Sequence, residues 1–142
     1  MRVVLDTNVI IAGLRSRTGA SAELLRRVLG GELEAAATTA LLLEYEAVAT
    51  RPGLRQASGF SASEVLEVID ALGAVMVPVP VRWRLRPQSS DPDDDFVIEA
   101  AFNARADVLV TANRRDLEAA CAVLGIRTLS AHMVLKELRS AE

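Results

Sequence analysis

The run Val3-Val4-Leu5 is closed at once by Asp6-Thr7-Asn8, and a second run, Val108-Leu109-Val110-Thr111, is introduced by Asp107. Short apolar runs without polar alternation are what strands buried on both faces look like, so each reads as a strand inside a parallel sheet. Parallel neighbours need long crossovers, usually helical, and the sequence between the two runs supplies them. Val9 to Leu14 continues apolar, as a helix starting near Thr7. Ser21 to Leu29 repeats Leu and Val at helical spacing until Gly30-Gly31 stops it. Leu33 to Thr38 reads as a second, alanine-rich strand. Thr39 to Thr50 is a helix with Leu41, Leu42, Tyr45 and Val48 on one face, and Pro52-Gly53 is expected to break it. Ser61 opens a helix through Leu72, with Glu64 three residues on as a capping box. Val75 to Val81 contains Pro78 and Pro80, which restricts it to an edge strand or an extended connector.

The second half repeats the alternation. Pro87 to Pro92 is a polar turn region, and Asp93, Asp94 and Asp95 stand at the start of a helix over Phe96 to Ala104, where acids suit the positive end of the helix dipole. Arg114 to Leu124 is a helix closed by Gly125, Ile126 to Leu129 a last strand, and Ala131 to Leu138 a last helix. The pattern implies an α/β class, a three-layer α/β/α sandwich on a mainly parallel sheet. The 142 residues fit a single domain, 1–142, with no repeat or linker.

Composition narrows the function classes. Apolar residues make up 51% of the chain and aromatics only 4%, so the core must be aliphatic. A net charge of −3 gives no overall electrostatic footprint of a nucleic-acid binder, although an acidic site can sit inside a basic rim. The basic residues are arginine apart from Lys136. Arginine suits bidentate phosphate contacts, but genomic base composition explains the bias more simply. Cys121 is the lone cysteine, which excludes an intrachain disulfide framework and a multi-cysteine zinc site. No apolar stretch reaches the ~18 residues of a membrane span, and Asp6 interrupts the only N-terminal run that could serve as a signal-peptide core. Elimination leaves a soluble cytoplasmic protein as the expectation.

In an open parallel sheet, ligands bind outside the carboxyl ends of the strands. Asp6 follows the first strand; Asn113 and Asp116 follow the strand ending at Thr111; the aspartates 93–95 open the helix that leads to that strand. Glu44, flanked by Leu41, Leu42, Leu43 and Val48, is a candidate inward-facing carboxylate. Ionised carboxylates converging in one cleft require a cation, and oxygen-only ligands favour hard ions such as Mg²⁺ or Mn²⁺. One or two such ions suit in-line phosphodiester hydrolysis, which uses neither cysteine nor histidine. Each candidate has a plainer reading. Asp6 can be a helix cap, Glu44 part of a solvated face, the aspartate run a cap, and Asn113 with Asp116 a turn and cap. Arg82-Trp83-Arg84-Leu85-Arg86 reads more readily as an edge strand blunted by charge than as a place for RNA phosphates with a base stacked on Trp83. His132 reads as a surface or cap residue, and Cys121 as a small buried apolar side chain.

Taken in order, Leu5-Asp6-Thr7-Asn8-Val9, Leu43-Glu44-Tyr45, Asp91-Pro92-Asp93-Asp94-Asp95 and Leu109-Val110-Thr111 resemble the PIN domain family. They resemble most the branch described as toxin components of toxin–antitoxin systems. The resemblance covers nearly the whole chain. It implies a compact α/β/α fold and Mg²⁺- or Mn²⁺-dependent cleavage of RNA. It makes Asp6 the first acid and Glu44 the second, with Asp95 the third and Asp94 its close alternative. The fourth position departs from the family pattern: Asn113 stands where an aspartate is frequent. Asn113 can still offer a neutral oxygen, and Asp116 can supply the missing charge. Thr7, Asn8 and Thr111 would support these ligands, and Arg114 and Arg115 would meet phosphate. The same resemblance implies a small antitoxin partner, a peptide helix filling an apolar groove, and a homodimer. Two rivals remain. A receiver-type signalling domain also groups aspartates around Mg²⁺, but it needs a lysine after a late strand, and Lys136 sits too deep in the last helix. A scaffold that binds RNA or a partner without cutting draws its support from Asn113.

Overall fold

A computed structural model describes the backbone of residues 1–85 and 92–142; the side chains of 55–57 and 92–94 are not among those described. The element order is β1 (Arg2–Leu5), α1 (Thr7–Arg15), α2 (Ala20–Leu29), β2 (Glu34–Ala37), α3 (Thr39–Ala49), α4 (Pro52–Ser58), α5 (Ala62–Val75), β3 (Val77–Pro78), α6 (Pro92–Asn103), β4 (Val108–Val110), α7 (Arg114–Val123), β5 (Arg127–Leu129) and α8 (Ala131–Ser140). The five strands form one sheet in the order β3-β2-β1-β4-β5, every pair parallel. Helices flank it in a three-layer α/β/α sandwich, as expected, and the sheet is wholly rather than mainly parallel among the described residues. None of the described helices is long and apolar enough to cross a membrane.

The apolar runs became strands because both their faces are covered. Val3, Val4, Leu5, Val108, Leu109 and Val110 have no exposed surface at all. Ala35, Ala36 and Ala37 in β2 are equally buried; alanine is a poor strand former, so position between β1 and β3 holds this segment extended. β3 is the expected edge strand, placed where Pro78 removes no interior ladder bond. Ser61 and Glu64 form the expected capping box at the start of α5.

Two expectations are corrected. Pro52-Gly53 does not only end a helix: α3 stops at Ala49, and Pro52 opens α4, because the missing N–H of proline is harmless at a first helical position. The segment from Arg82 to Leu85 is not a blunted edge strand. The backbone leaves β3 and is held by Asn103, whose side chain accepts from the N–H groups of Arg82 and Trp83 (2.9 Å each) and donates to the carbonyl of Trp83 (2.8 Å). Arg86 and the turn at 87–91 lie outside the described residues.

The strand order decides where a ligand can sit. From β1 the chain builds outward to β2 and β3 on one side and to β4 and β5 on the other. The crevice beyond the ends of β1 and β4 is therefore the switch point of the sheet. Asp6 and Thr111 are the first residues past those two ends.

Candidate active site

The ladder itself brings Asp6 and Thr111 together. Leu5 is in register with Val110, and the Asp6 N–H donates to the Val110 carbonyl at 2.8 Å. Thr111, fully buried, is held in turn by its own N–H on the Leu129 carbonyl. The Thr111 hydroxyl then donates to Asp6 Oδ2 at 2.7 Å. It also accepts from Asn8 Nδ2 (3.3 Å) and the Asn113 N–H (3.0 Å), which exhausts its one donor and two acceptor positions. Asn8 Oδ1 accepts from the Ala112 N–H at 3.1 Å. Asp6 Oδ1 accepts from the Thr7 N–H at 2.8 Å, so Asp6 is the N-cap of α1 as well. Capping and site-building coincide here: the donors that start the helix also fix the direction of a half-buried carboxylate.

Tyr45 fixes the same point from below. Its phenol is fully buried and donates a short hydrogen bond to the Leu5 carbonyl, one residue before Asp6. Burial pushes this phenol far above the ordinary tyrosine range, and the nearby Asp6 charge pushes the same way. Tyr45 is therefore a permanent donor.

Glu44 precedes Tyr45 on α3 and is half-buried. It shares a cleft of about 640 Å³ with Asp6, Thr7 and Asn8. Ile11, Val48 and Leu54 give that cleft an apolar wall, while Arg15 and Arg51 also line it. Neither arginine forms an ion pair among the described residues. The sequence reading missed both arginines, although for Arg15 the signal was present. Arg15 follows Asn8 by seven residues and Ile11 by four, so it shares a helical stripe with an amide of the cleft; Arg51 lies between α3 and α4, where helical spacing gives no such signal. Leu54 was missed for a different reason, because α4 itself was not expected.

The other candidates are placed less centrally. Asp95 is half-buried near the start of α6. Because α6 links β3 to the parallel strand β4, its start stands at the same end of the sheet as Asp6. The side chain of Asp94 lies outside the described residues. Asn113 and Asp116 are exposed and bonded to each other, Nδ2 to Oδ2 at 2.7 Å; Asn113 reaches Asp6 only through its N–H on Thr111. Arg114 turns away: its Nε donates to the Thr128 carbonyl at 3.1 Å and it lines a separate depression beside α7. Arg115 is exposed, as is His132. Cys121 is buried, and burial raises its thiol above the ordinary range, which suits an inert core side chain.

The donors suit a hard cation in kind, since Asp6 and Glu44 offer oxygen alone. In number they fall short: among the described residues no three acidic, histidine or cysteine side chains are grouped closely enough to hold a metal. Two carboxylates that share a cleft with two arginines form a site able to attract a cation and an anion side by side.

The profile of the PIN domain family matches residues 2–115, from the first residue of β1 to the second residue of α7. No curated protein matches the chain. The matched span contains Asp6, Glu44, the aspartates 93–95, Thr111 and Asn113 in the expected order. The chain belongs to the PIN domain family, whose members are generally nucleases.

Proposed function

We propose that this protein is a divalent-metal-dependent endoribonuclease working at the Asp6–Glu44 cleft. The observation that carries the reading is the pairing of two carboxylates, distant in sequence, in one cleft beside the carboxyl end of β1 in a PIN domain, with Arg15 and Arg51 beside them. Asp6 and Glu44 would hold Mg²⁺ or Mn²⁺, with Asp95 or Asp94 as the third acid and Asn113 or Asp116 completing the set. A bound ion supplies charge neutralisation at the phosphoryl group and an activated water. The protein's own share is orientation. Thr111, Asn8 and the Thr7 N–H point the Asp6 carboxylate, and Tyr45 fixes the backbone that carries it. Arg15 and Arg51 suit the phosphates on either side of the scissile bond, while Arg114 and Arg115 are more remote. In the finer reading the enzyme is the toxin of a toxin–antitoxin pair in the cytoplasm, working as a homodimer. The apolar wall of Ile11, Val48 and Leu54 suits an antitoxin helix that covers the acids.

RNA cleavage in the presence of Mn²⁺ tests this. The intact protein is expected to cut single-stranded RNA, chelation to stop it, and Asp6→Asn and Glu44→Gln each to remove cleavage. Thr111→Val should lower the rate by about 10- to 100-fold, as loss of a hydrogen bond that orients a ligand typically does. Equal cutting by the intact protein and Asp6→Asn would refute the reading. The absence of a third described acid at the cleft, together with Asn113 at the fourth position, supports a second reading, a scaffold that binds RNA without cutting it. Tight RNA binding with no cleavage under any divalent ion would establish that one instead.

A further inference from the structure

A second depression of about 580 Å³ lies at the sheet edge, between β3 and the end of α6. Arg2, Arg82 and Arg105 line it, together with Trp83, Phe102 and Asn103. Among the described residues no acidic side chain lines it, so a chain of net charge −3 presents here a local positive surface. Arg2 is committed to structure, with Nε on Glu34 at 3.0 Å and a guanidinium N–H on the Ala104 carbonyl at 2.9 Å. Arg82 and Arg105 form no ion pair among the described residues. Trp83 is 67% exposed, an unusual placement for the residue with the most apolar surface to hide. Its backbone is nonetheless fixed by Asn103, whose amide binds both the N–H and the carbonyl of Trp83 and is itself anchored to the Glu99 carbonyl at 2.9 Å. A rigidly based indole beside unpaired guanidinium groups is the combination that holds single-stranded nucleic acid, by base stacking plus phosphate contact. Arg2 begins β1 and Asp6 follows its end, four residue steps or roughly 13 Å apart. A ligand here therefore does not touch the acids.

We propose that the Arg82–Trp83–Arg105 depression is a second RNA contact, which holds an unpaired stretch of the substrate by stacking one base on Trp83 while a remote bond lies in the Asp6 cleft. The inference rests on the nuclease reading, but it predicts binding that needs neither metal nor Asp6. It also gives Arg82 and Trp83 a role in a segment that forms no edge strand.

Trp83 is the only tryptophan, so its fluorescence reports on this depression alone. The experiment titrates the full chain, in EDTA, with a single-stranded oligoribonucleotide. Saturable quenching is expected, unchanged in Asp6→Asn. Anisotropy of the labelled oligonucleotide should show Trp83→Ala binding about 5- to 150-fold more weakly, the usual range for removing a stacking aromatic. Arg82→Ala should lower the slope of log affinity against log salt by about 0.7. Because Trp83 is exposed, its replacement leaves the core intact. No quenching from a protein that cleaves RNA would overturn the second contact and leave the nuclease reading standing. Quenching with no cleavage would uphold the contact and overturn the nuclease. Equal quenching by a polyglutamate peptide, or by a free mononucleotide at the same concentration, would overturn it in favour of an acidic protein partner or a small-ligand pocket.

Discussion

Asp6 is held from three directions: by the β1–β4 ladder through its N–H, by Thr111 and Thr7 through its carboxylate, and by Tyr45 through the preceding carbonyl. Of these, Tyr45 makes the sharpest prediction, because it is the only tyrosine in the chain. An exposed phenol titrates near pH 10, whereas burial and the Asp6 charge hold that of Tyr45 protonated well beyond it. Absorbance at 295 nm should therefore show no tyrosinate in the native protein as pH passes 10, and should rise only when the chain unfolds. The sign for stability follows. Above pH 10 the unfolded chain releases a proton that the folded one keeps, so the unfolded state binds fewer protons and stability falls as pH rises. Tyr45→Phe should flatten that alkaline limb. At neutral pH it should cost about 1–3 kcal/mol in urea unfolding, through loss of the buried bond to Leu5. A reversible tyrosine titration near pH 10 in the folded protein would refute the buried-donor role. This role was not legible in the sequence: Tyr45 was placed on the buried face of a helix, but no local pattern shows that its hydroxyl meets the strand end one residue before Asp6.

At the scale of elements, the two glycines inside α1 and α5 answer to opposite constraints. A Cβ on Gly13 would stand 2.5 Å from Leu25 Cδ1 and 3.4 Å from the Ser21 backbone, since α1 and α2 pack closely there. Gly13→Val adds branching at that point as well and should destabilise by about 1–3 kcal/mol. On α5, a Cβ on Gly73 meets only Leu42, at an ordinary 3.6 Å. Gly73→Ala should thus stabilise by about 0.5–1 kcal/mol through helix propensity. Urea midpoints at unchanged slope would measure both, and a stabilising Gly13→Val would show that α1 and α2 do not meet as described. The same scale shows what sequence pattern can reach. The strands were legible because doubly buried runs such as Val3–Leu5 and Val108–Val110 carry the signal in composition alone, and α5 because its capping box is written in two residues. α4 was not, because proline and glycine look identical as a stop and as a start; the tertiary contact of α4 with α1 decides between them. The path of Arg82–Leu85 escaped for the same reason, since the groups that hold it, Asn103 and Glu99, come from the next helix.

For the whole molecule, the family match ends at residue 115 while the sheet does not. β5 pairs with β4 along Val108–Val110, and the Thr111 N–H that steadies the Asp6 network binds Leu129. α8 closes on α2, where Arg139 bonds Glu23 at 2.9 Å and Arg27 bonds Glu142 at 2.8 Å. These surface pairs contribute little; the weight lies in what is buried beyond residue 115. Leu117, Cys121, Ile126, Leu129, Val134 and Leu135 are all in the core. At ~1.5–3 kcal/mol each, the five aliphatic ones represent roughly 8–15 kcal/mol, comparable with the ~5–15 kcal/mol net stability of a typical domain. A chain ending at residue 115 would also leave β4 as an open, wholly apolar edge. The expected outcome is a polypeptide without a cooperative urea transition that aggregates on concentration and binds no metal at Asp6. A sigmoidal transition from residues 1–115 would show instead that the matched span folds alone and that β5 and α8 are an addition. On the geometry of Thr111, β5 supports the Asp6 network, because the hydroxyl that aims Asp6 sits on a strand end whose outer neighbour is β5.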